Sequence, residues 1–441
     1  MDSFRDDLRK AFPTPGNRLA MVSIILQSLF SGLYWGFTSF QASLLHSKFE
    51  ASYGWLAVMI PISTLSYVTT LLYIGIYGHR HTHKSMYLFS SSLGILHSLL
   101  VIRGVLVHRY WTMAIGYFMG GISYAIIDII PVIDAKRFSQ RVTSPQIYNF
   151  LYISVSIADA LSLALGRFLM VTSLLYGPPL PVAWEIPWGL EVITLSLCFL
   201  LVWFSEFPEA TRPEERGKPV QSQTVKTLVR SLWETPIFRW FSFGYSLCAF
   251  SFGATTAWYP VIVEHLFTEE DPAFRTWIFL ICSVPCVAIS AIITTALIKR
   301  VNDRRHVVIL VGNALVAASL CAFALFLVQR NIVVFAVLLS IFIAIHYFPH
   351  FILKTLPKSF DLNEDVATFG IAVLTIIYAL FGNAVGVLAV GAFITTVDIQ
   401  WSLGAIALSS ALASIFFFIP LRTEKPRKDV VKIPVNFRRV L

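Results

Sequence analysis

The sequence predicts an all-α membrane protein: twelve transmembrane helices in two six-helix bundles, with both termini cytoplasmic. Three observations predict it, namely how little charge there is, where it is missing, and on which side it collects. Of 441 residues, 56% are apolar and only 13% charged, with a formal net charge of +9. A soluble domain carries about 25% charged residues, and its surface could not hide this much apolar area. The composition excludes a soluble enzyme, a disordered chain and a soluble nucleic-acid binder.

The elements follow from stretches free of Asp, Glu, Lys and Arg. Eight run from Met21 to Leu45, Ala51 to His79, Trp240 to Val263, Thr276 to Ile298, His306 to Gln329, Asn331 to Leu353, Val366 to Val397 and Ile399 to Leu421. Each exceeds the roughly 20 residues that a helix needs to cross about 30 Å of hydrocarbon. Ser85 to Ile102 adds a ninth, and three apolar segments carry isolated charges: 111–134 with Asp128 and Asp134, 148–173 with Asp159 and Arg167, and 187–205 with Glu191. A transmembrane barrel would instead show alternating segments of about ten residues.

Lys and Arg fix the orientation. With the N-terminus inside, 28 of the 34 fall on the cytoplasmic side, five fall outside and Arg167 lies within a span. The net charge is therefore a topology signal, and anionic lipid is partner enough, with no role for nucleic acid. The first apolar segment is too long for a cleavable signal. All five cysteines fall inside spans, which gives no disulfide framework.

The spans divide the chain into a cytoplasmic N-terminus (1–18), an N-terminal bundle (19–205), a cytoplasmic linker (206–235), a C-terminal bundle (236–421) and a basic tail (422–441). The linker opens with Glu206, Pro208, Glu209, Pro213, Glu214 and Glu215, a solvated composition. It closes with Val225, Leu228, Val229, Leu232 and Trp233, a stripe that predicts a short amphipathic helix on the membrane surface. The halves echo one another at an offset of about 220 residues, which suggests a parallel repeat with a solute site between them at mid-membrane.

The loop after span two reads Gly75-Ile76-Tyr77-Gly78-His79-Arg80-His81-Thr82-His83-Lys84. It resembles the Gly-x-x-x-Asp-Arg-x-Gly-Arg-Lys signature of the major facilitator superfamily, matching the first Gly, the Arg and the final Lys, with His79 in place of the Asp. Lys299 and Arg300 open a more degenerate copy after span eight. The resemblance implies a major-facilitator-like fold and an inner gating latch built from Gly75, Gly78, His79, Arg80, Lys84, Asp128, Asp134, Arg137, Arg141, Lys299 and Arg300. The span-four arginine of many proton-coupled members and the span-five Gly-Pro pair of drug antiporters have no match here.

Charge inside hydrocarbon costs about 2.5–3.5 kcal/mol at a helix centre, so surviving charges usually face a cavity. Asp159 sits midway along span five and Arg167 lies eight residues on, about 12 Å along the axis and within about 80° around it. Asp159 is the candidate cation or proton site and Arg167 the candidate anion contact, the plainer alternative being a structural ion pair. Glu191, near the outer end of span six, is expected to snorkel. The second half offers Asn383, and His346 beside Pro349 and His350, where a hydrogen-bonded neutral histidine is the plainer alternative. Tyr34 and Trp35 are candidate pocket aromatics, whereas Trp258 and Tyr259 look like an outer aromatic belt. His79, His81 and His83 alternate as metal ligands on an extended loop would, but they lack an acidic or Cys partner nearby. No metal or other cofactor is expected.

These residues predict a monomeric secondary or facilitative transporter of a small organic solute, working by alternating access, open to proton coupling and located in the plasma membrane. No catalytic signature appears. The rival is a transporter-like regulator or chaperone that no longer transports, which the degenerate latch would suit.

Overall fold

The computed structural model describes residues 2–49, 53–77, 81–140, 186–207, 225–271, 304–328, 331–353, 364–396 and 399–423, with scattered positions at 154–169 and 274–293. Among these the regular structure is helical throughout. The first half contains α1 (Asp2–Ala11), α2 (Pro15–Phe49), α3 (Tyr53–Tyr77), α4 (His83–Leu106), α5 (Tyr110–Gln140) and α6 (Ile186–Phe204). After a short helix α7 (Val225–Glu234) come α8 (Pro236–Leu266), α9 (Arg304–Leu327), α10 (Ile332–Leu353), α11 (Glu364–Tyr378), α12 (Val387–Thr396) and α13 (Ile399–Thr423). Among the described residues six helices are long and apolar enough to cross a membrane, including His83–Leu106, Ile186–Phe204 and Ile399–Ile419.

The helices form where charge is absent and pack through small and hydroxylated residues. Outward stripes such as Ile193, Leu197, Leu200 and Phe204 on α6 stay exposed, as lipid-facing residues do. On inner faces, Ser90 and Ser123 exchange hydrogen bonds between α4 and α5: each hydroxyl donates to the other's carbonyl, at 3.0 and 2.9 Å. Such pairs satisfy hydroxyls where no water can reach them. Gly121 on α5 leaves room for the Ser63 backbone of α3, a space that any Cβ would fill.

Two features were not expected. The N-terminal segment folds into α1, and its end seats Phe12, 1% exposed, against Phe138 of α5 at a ring separation of 4.6 Å. The segment expected to be one continuous span at 366–397 is broken by a π-helical stretch, Ala379–Gly386, between α11 and α12.

The cores show how the halves meet. Near the termini each half has its own cluster: Phe12, Ile24, Tyr87, Ile130 and Phe138 in the first, and Phe238, Phe241, Leu315 and Phe417 in the second. At the opposite end one cluster joins residues of both halves, among them Leu33, Met59 and Tyr117 with Phe252, Trp258 and Phe342. The halves thus share a large core away from the termini and a smaller one nearer them, where Val68, Leu71 and Ile127 meet Ala379.

Candidate functional site

A small cavity of about 20 Å³ lies between the halves. Tyr34 of α2, Ile60, Ser63, Thr64 and Tyr67 of α3, and Tyr117 and Tyr124 of α5 line one side; Asn383, on the π-helical stretch, faces them from the second half. In its present form it has room for about one water molecule.

Each wall residue is held by local chemistry. The Tyr34 and Ser63 hydroxyls are 2.5 Å apart and tie α2 to α3. The Tyr67 hydroxyl donates to Asp128 at 2.8 Å, which turns its ring along the cavity. Tyr124 stacks on Tyr34 and Tyr67, with centroid separations of 5.4 and 5.2 Å. The Tyr117 hydroxyl is buried and has no hydrogen-bond partner among the described residues. Asn383 is carried inward by a backbone that packs unusually close to α8. A Cβ on Gly253 would overlap the Gly382 backbone, and one on Gly382 would meet the Ala249 carbonyl oxygen at 2.9 Å. π-helical turns often occur at such functional positions.

Behind the wall lies a second polar layer. The His97 ring meets Tyr34 and Tyr117 edge-on at 5.6 and 5.4 Å. Its Nδ1 donates to the Gly116 carbonyl at 2.8 Å, and its Nε2 lies 4.0 Å from Glu191 Oε2. Ser98 donates to the same Glu191 oxygen at 2.7 Å. Glu191 is therefore not a snorkelling residue. It is 1% exposed, because α4 packs along α6 and encloses it. Trp258 and Tyr259 are each 1% exposed and do not form a surface belt; the Trp258 indole donates to the Val387 carbonyl at 2.8 Å.

The structure places the other candidates as follows. His346 joins a chain of hydrogen bonds in the second half: its Nδ1 donates to the Phe342 carbonyl at 2.9 Å, and its Nε2 is 3.3 Å from the Ser410 hydroxyl, which donates to Ser251 at 3.0 Å. Trp35 lies on α2, but its side chain is outside the described set, as are those of Gly75 on α3 and Arg137 on α5. Asp159, Arg167, Gly78, His79, Arg80, Arg141, Lys299 and Arg300 fall outside the described residues altogether.

Of the expected latch, Asp134 is fully buried and bonded to His83, and it also accepts from the Tyr87 hydroxyl at 3.0 Å. Lys84 donates to the Trp203 and Ser205 carbonyls at 2.7 and 3.1 Å, at the end of α6 where a cation is favoured. Asp128 instead supports the cavity wall through Tyr67. His81 turns to the Tyr73 hydroxyl, away from His83, so these two histidines do not converge. Among the described residues no group of three His, Cys, Asp or Glu is placed to hold a metal ion.

Comparison with known proteins agrees with this architecture. The family model of the Major Facilitator Superfamily matches residues 20–358. The chain belongs to that superfamily. It is a multi-pass integral membrane protein with a transporter fold. The solved D-xylose-proton symporter superposes with a TM-score of 0.67 at 12% identity, over 92% of this chain and 98% of that one. The nucleoside transporter NupG gives 0.65 at 14%, over 92% and 99%. A bacterial homolog of the human lysosomal transporter Spinster, inward-facing and unoccupied, gives 0.65 at 14%, over 93% and 98%. At such identities the likeness is one of fold. No curated protein matches the chain by sequence.

Proposed function

We propose that this superfamily member carries a small, uncharged, polar organic solute with at least one apolar face, and that the tyrosine-lined cavity is its site. One observation carries the proposal: the wall presents aromatic faces, hydroxyls and one carboxamide, with no charged side chain among the described lining residues. Aromatic rings cover the apolar face of a sugar- or nucleoside-like solute, and hydroxyls and amides pair with its polar edge. The D-xylose-proton symporter and the nucleoside transporter NupG, which share this fold, carry solutes of this kind.

Alternating access fits the two-sided arrangement. The large shared core closes one end of the cavity and a smaller cluster around Leu71 and Ala379 closes the other, so the cavity widens for a solute as the smaller seal parts. Twelve spans with both termini cytoplasmic then put the larger seal on the outer side, with the His83–Asp134 and Lys84 contacts stabilising the cytoplasmic ends of the first half. Asp159 and Arg167 remain candidates for charge recognition within span five.

A thermal-shift screen of detergent-purified protein against sugars, nucleosides, amino acids and carboxylates tests the solute class. A solute that binds the native state raises the melting temperature by mass action. The expected result is stabilisation by a neutral polyhydroxylated compound, reduced in Tyr117→Phe. Stabilisation by carboxylates alone would overturn the uncharged class in favour of Arg167. Silence across the panel from folded protein would support the non-transporting rival.

A further inference from the structure

We infer that His97 and Glu191 form a proton-binding pair set directly behind the solute cavity, taking up and releasing one proton as the two halves exchange positions. The inference rests on the cavity being the solute site, because the pair reaches the cavity through two of its wall residues.

The geometry is that of a relay with a fixed orientation. Gly120 leaves the space in which the imidazole sits, since a Cβ there would meet Nδ1 at 2.8 Å. The bond from Nδ1 to the Gly116 carbonyl fixes that nitrogen as the donor, so Nε2 carries the lone pair when the ring is neutral. That lone pair faces Glu191 Oε2, 4.0 Å away. Ser98 supplies a single hydrogen bond to the same carboxyl oxygen and brings no charge.

Among the described residues the surroundings are poor in compensating charge. The described titratable groups that face the pair are Tyr34 from α2 and Tyr117 from α5, with Cys198 two turns along α6. Arg103, six residues beyond His97 on α4, is exposed, and His97 is the only ion-pair partner of Glu191 among the described residues. Uptake of a proton from water changes the pair from carboxylate and neutral imidazole, net −1, to net zero. Release to water on the other side restores it. A change of net charge within an apolar helix junction carries a large energy, and a conformational change that alters access to the pair responds to it. A glutamine would accept the Ser98 hydrogen bond equally well, so a purely structural role does not require an acid.

The coupling path is short. Tyr34 and Tyr117 each touch both the cavity and the His97 ring. A solute that rotates either ring alters the packing against His97, and a change at His97 alters the wall that the solute meets.

Infrared difference spectroscopy of the purified, solute-free protein during a pH titration tests the pair without requiring transport. A titrating carboxyl C=O band is expected in the wild type, absent from Glu191→Gln and shifted to higher frequency in Ser98→Ala, which removes the hydrogen bond but keeps the acid. If no band differs between wild type and Glu191→Gln, the inference is overturned. If Glu191→Gln does not fold, an unshifted spectrum in Ser98→Ala overturns it.

In proteoliposomes with D-xylose and uridine as probes, Glu191→Gln should lose accumulation driven by a pH gradient and keep exchange at equal pH. Gradient-driven accumulation at the wild-type level would overturn the coupling. If the wild type binds and moves neither probe, it is the cavity reading that fails, and the infrared titration decides the pair by itself.

Discussion

Tyr117 stands edge-on to His97 at 5.4 Å while its hydroxyl, buried in the wall of the cavity, has no hydrogen-bond partner among the described residues. A buried hydroxyl without a partner costs about 1–3 kcal/mol, and a site that keeps one is built for something that arrives. Tyr117→Phe should therefore act in opposite directions on two measurements. The solute-free protein should melt at an equal or higher temperature, because the uncompensated group is gone. The affinity for a solute that accepts or donates there should fall about tenfold, the worth of one hydrogen bond of about 1.4 kcal/mol. A drop in the solute-free melting temperature would show that the hydroxyl is already paired.

The contact between the Tyr34 and Ser63 hydroxyls predicts non-additive behaviour. Removing either group alone takes this hydrogen bond from the other while it stays buried, at a cost of about 1–2 kcal/mol each. The double substitution Tyr34→Phe with Ser63→Ala removes both groups, so it should cost clearly less than the sum of the single changes. Thermal melts of the three variants, treated as a double-mutant cycle, check this. Strict additivity would mean the two hydroxyls do not sense each other.

Asp134 is enclosed between α4 and α5 and accepts from both His83 and Tyr87. Asp134→Ala takes a shared acceptor from two buried polar groups, and a loss of about 2–3 kcal/mol follows from the two hydrogen bonds. Lys84→Met should cost much less, under about 1 kcal/mol, because its partners are carbonyls at the exposed end of α6. Comparing the melting temperatures of the two variants tests the ranking. A Lys84 variant as damaged as the Asp134 one would place the weight of this contact on α6 instead.

How far these sites were legible depended on scale. Helix positions could be read because hydrocarbon tolerates so few charges: the gap from Ser85 to Ile102 lies wholly inside α4. Tyr34 and Asn383 could be singled out as polar or aromatic groups near the middle of spans. Glu191 was misjudged because its sequence position near a span's end says nothing of the neighbouring helix. It is the packing of α4 that removes its route to water. Trp258 and Tyr259 were misjudged for the same reason. Tyr67, Tyr117 and Tyr124 were not singled out at all, since a chain with 16 tyrosines gives no signal of which ones converge. A spacing of seven residues between Tyr117 and Tyr124, two helical turns on one face, was the available clue.

The π-helical stretch was equally hidden, because backbone register there is set by a neighbouring helix. Gly253 and Gly382 approach so closely that neither position accommodates a methyl group without displacing backbone. Gly253→Ala should therefore cost about 1–3 kcal/mol, the usual penalty of overpacking. It should also push Asn383 out of the cavity wall and weaken solute binding beyond what the stability loss explains. Gly404→Ala on α13, where a Cβ would meet nothing within 4 Å, supplies the control and should melt at or slightly above the wild-type temperature. Circular dichroism melts of both variants, with and without a stabilising solute, separate the two effects. If Gly253→Ala loses stability but binds solute as the wild type does, Asn383 does not depend on the π register for its role.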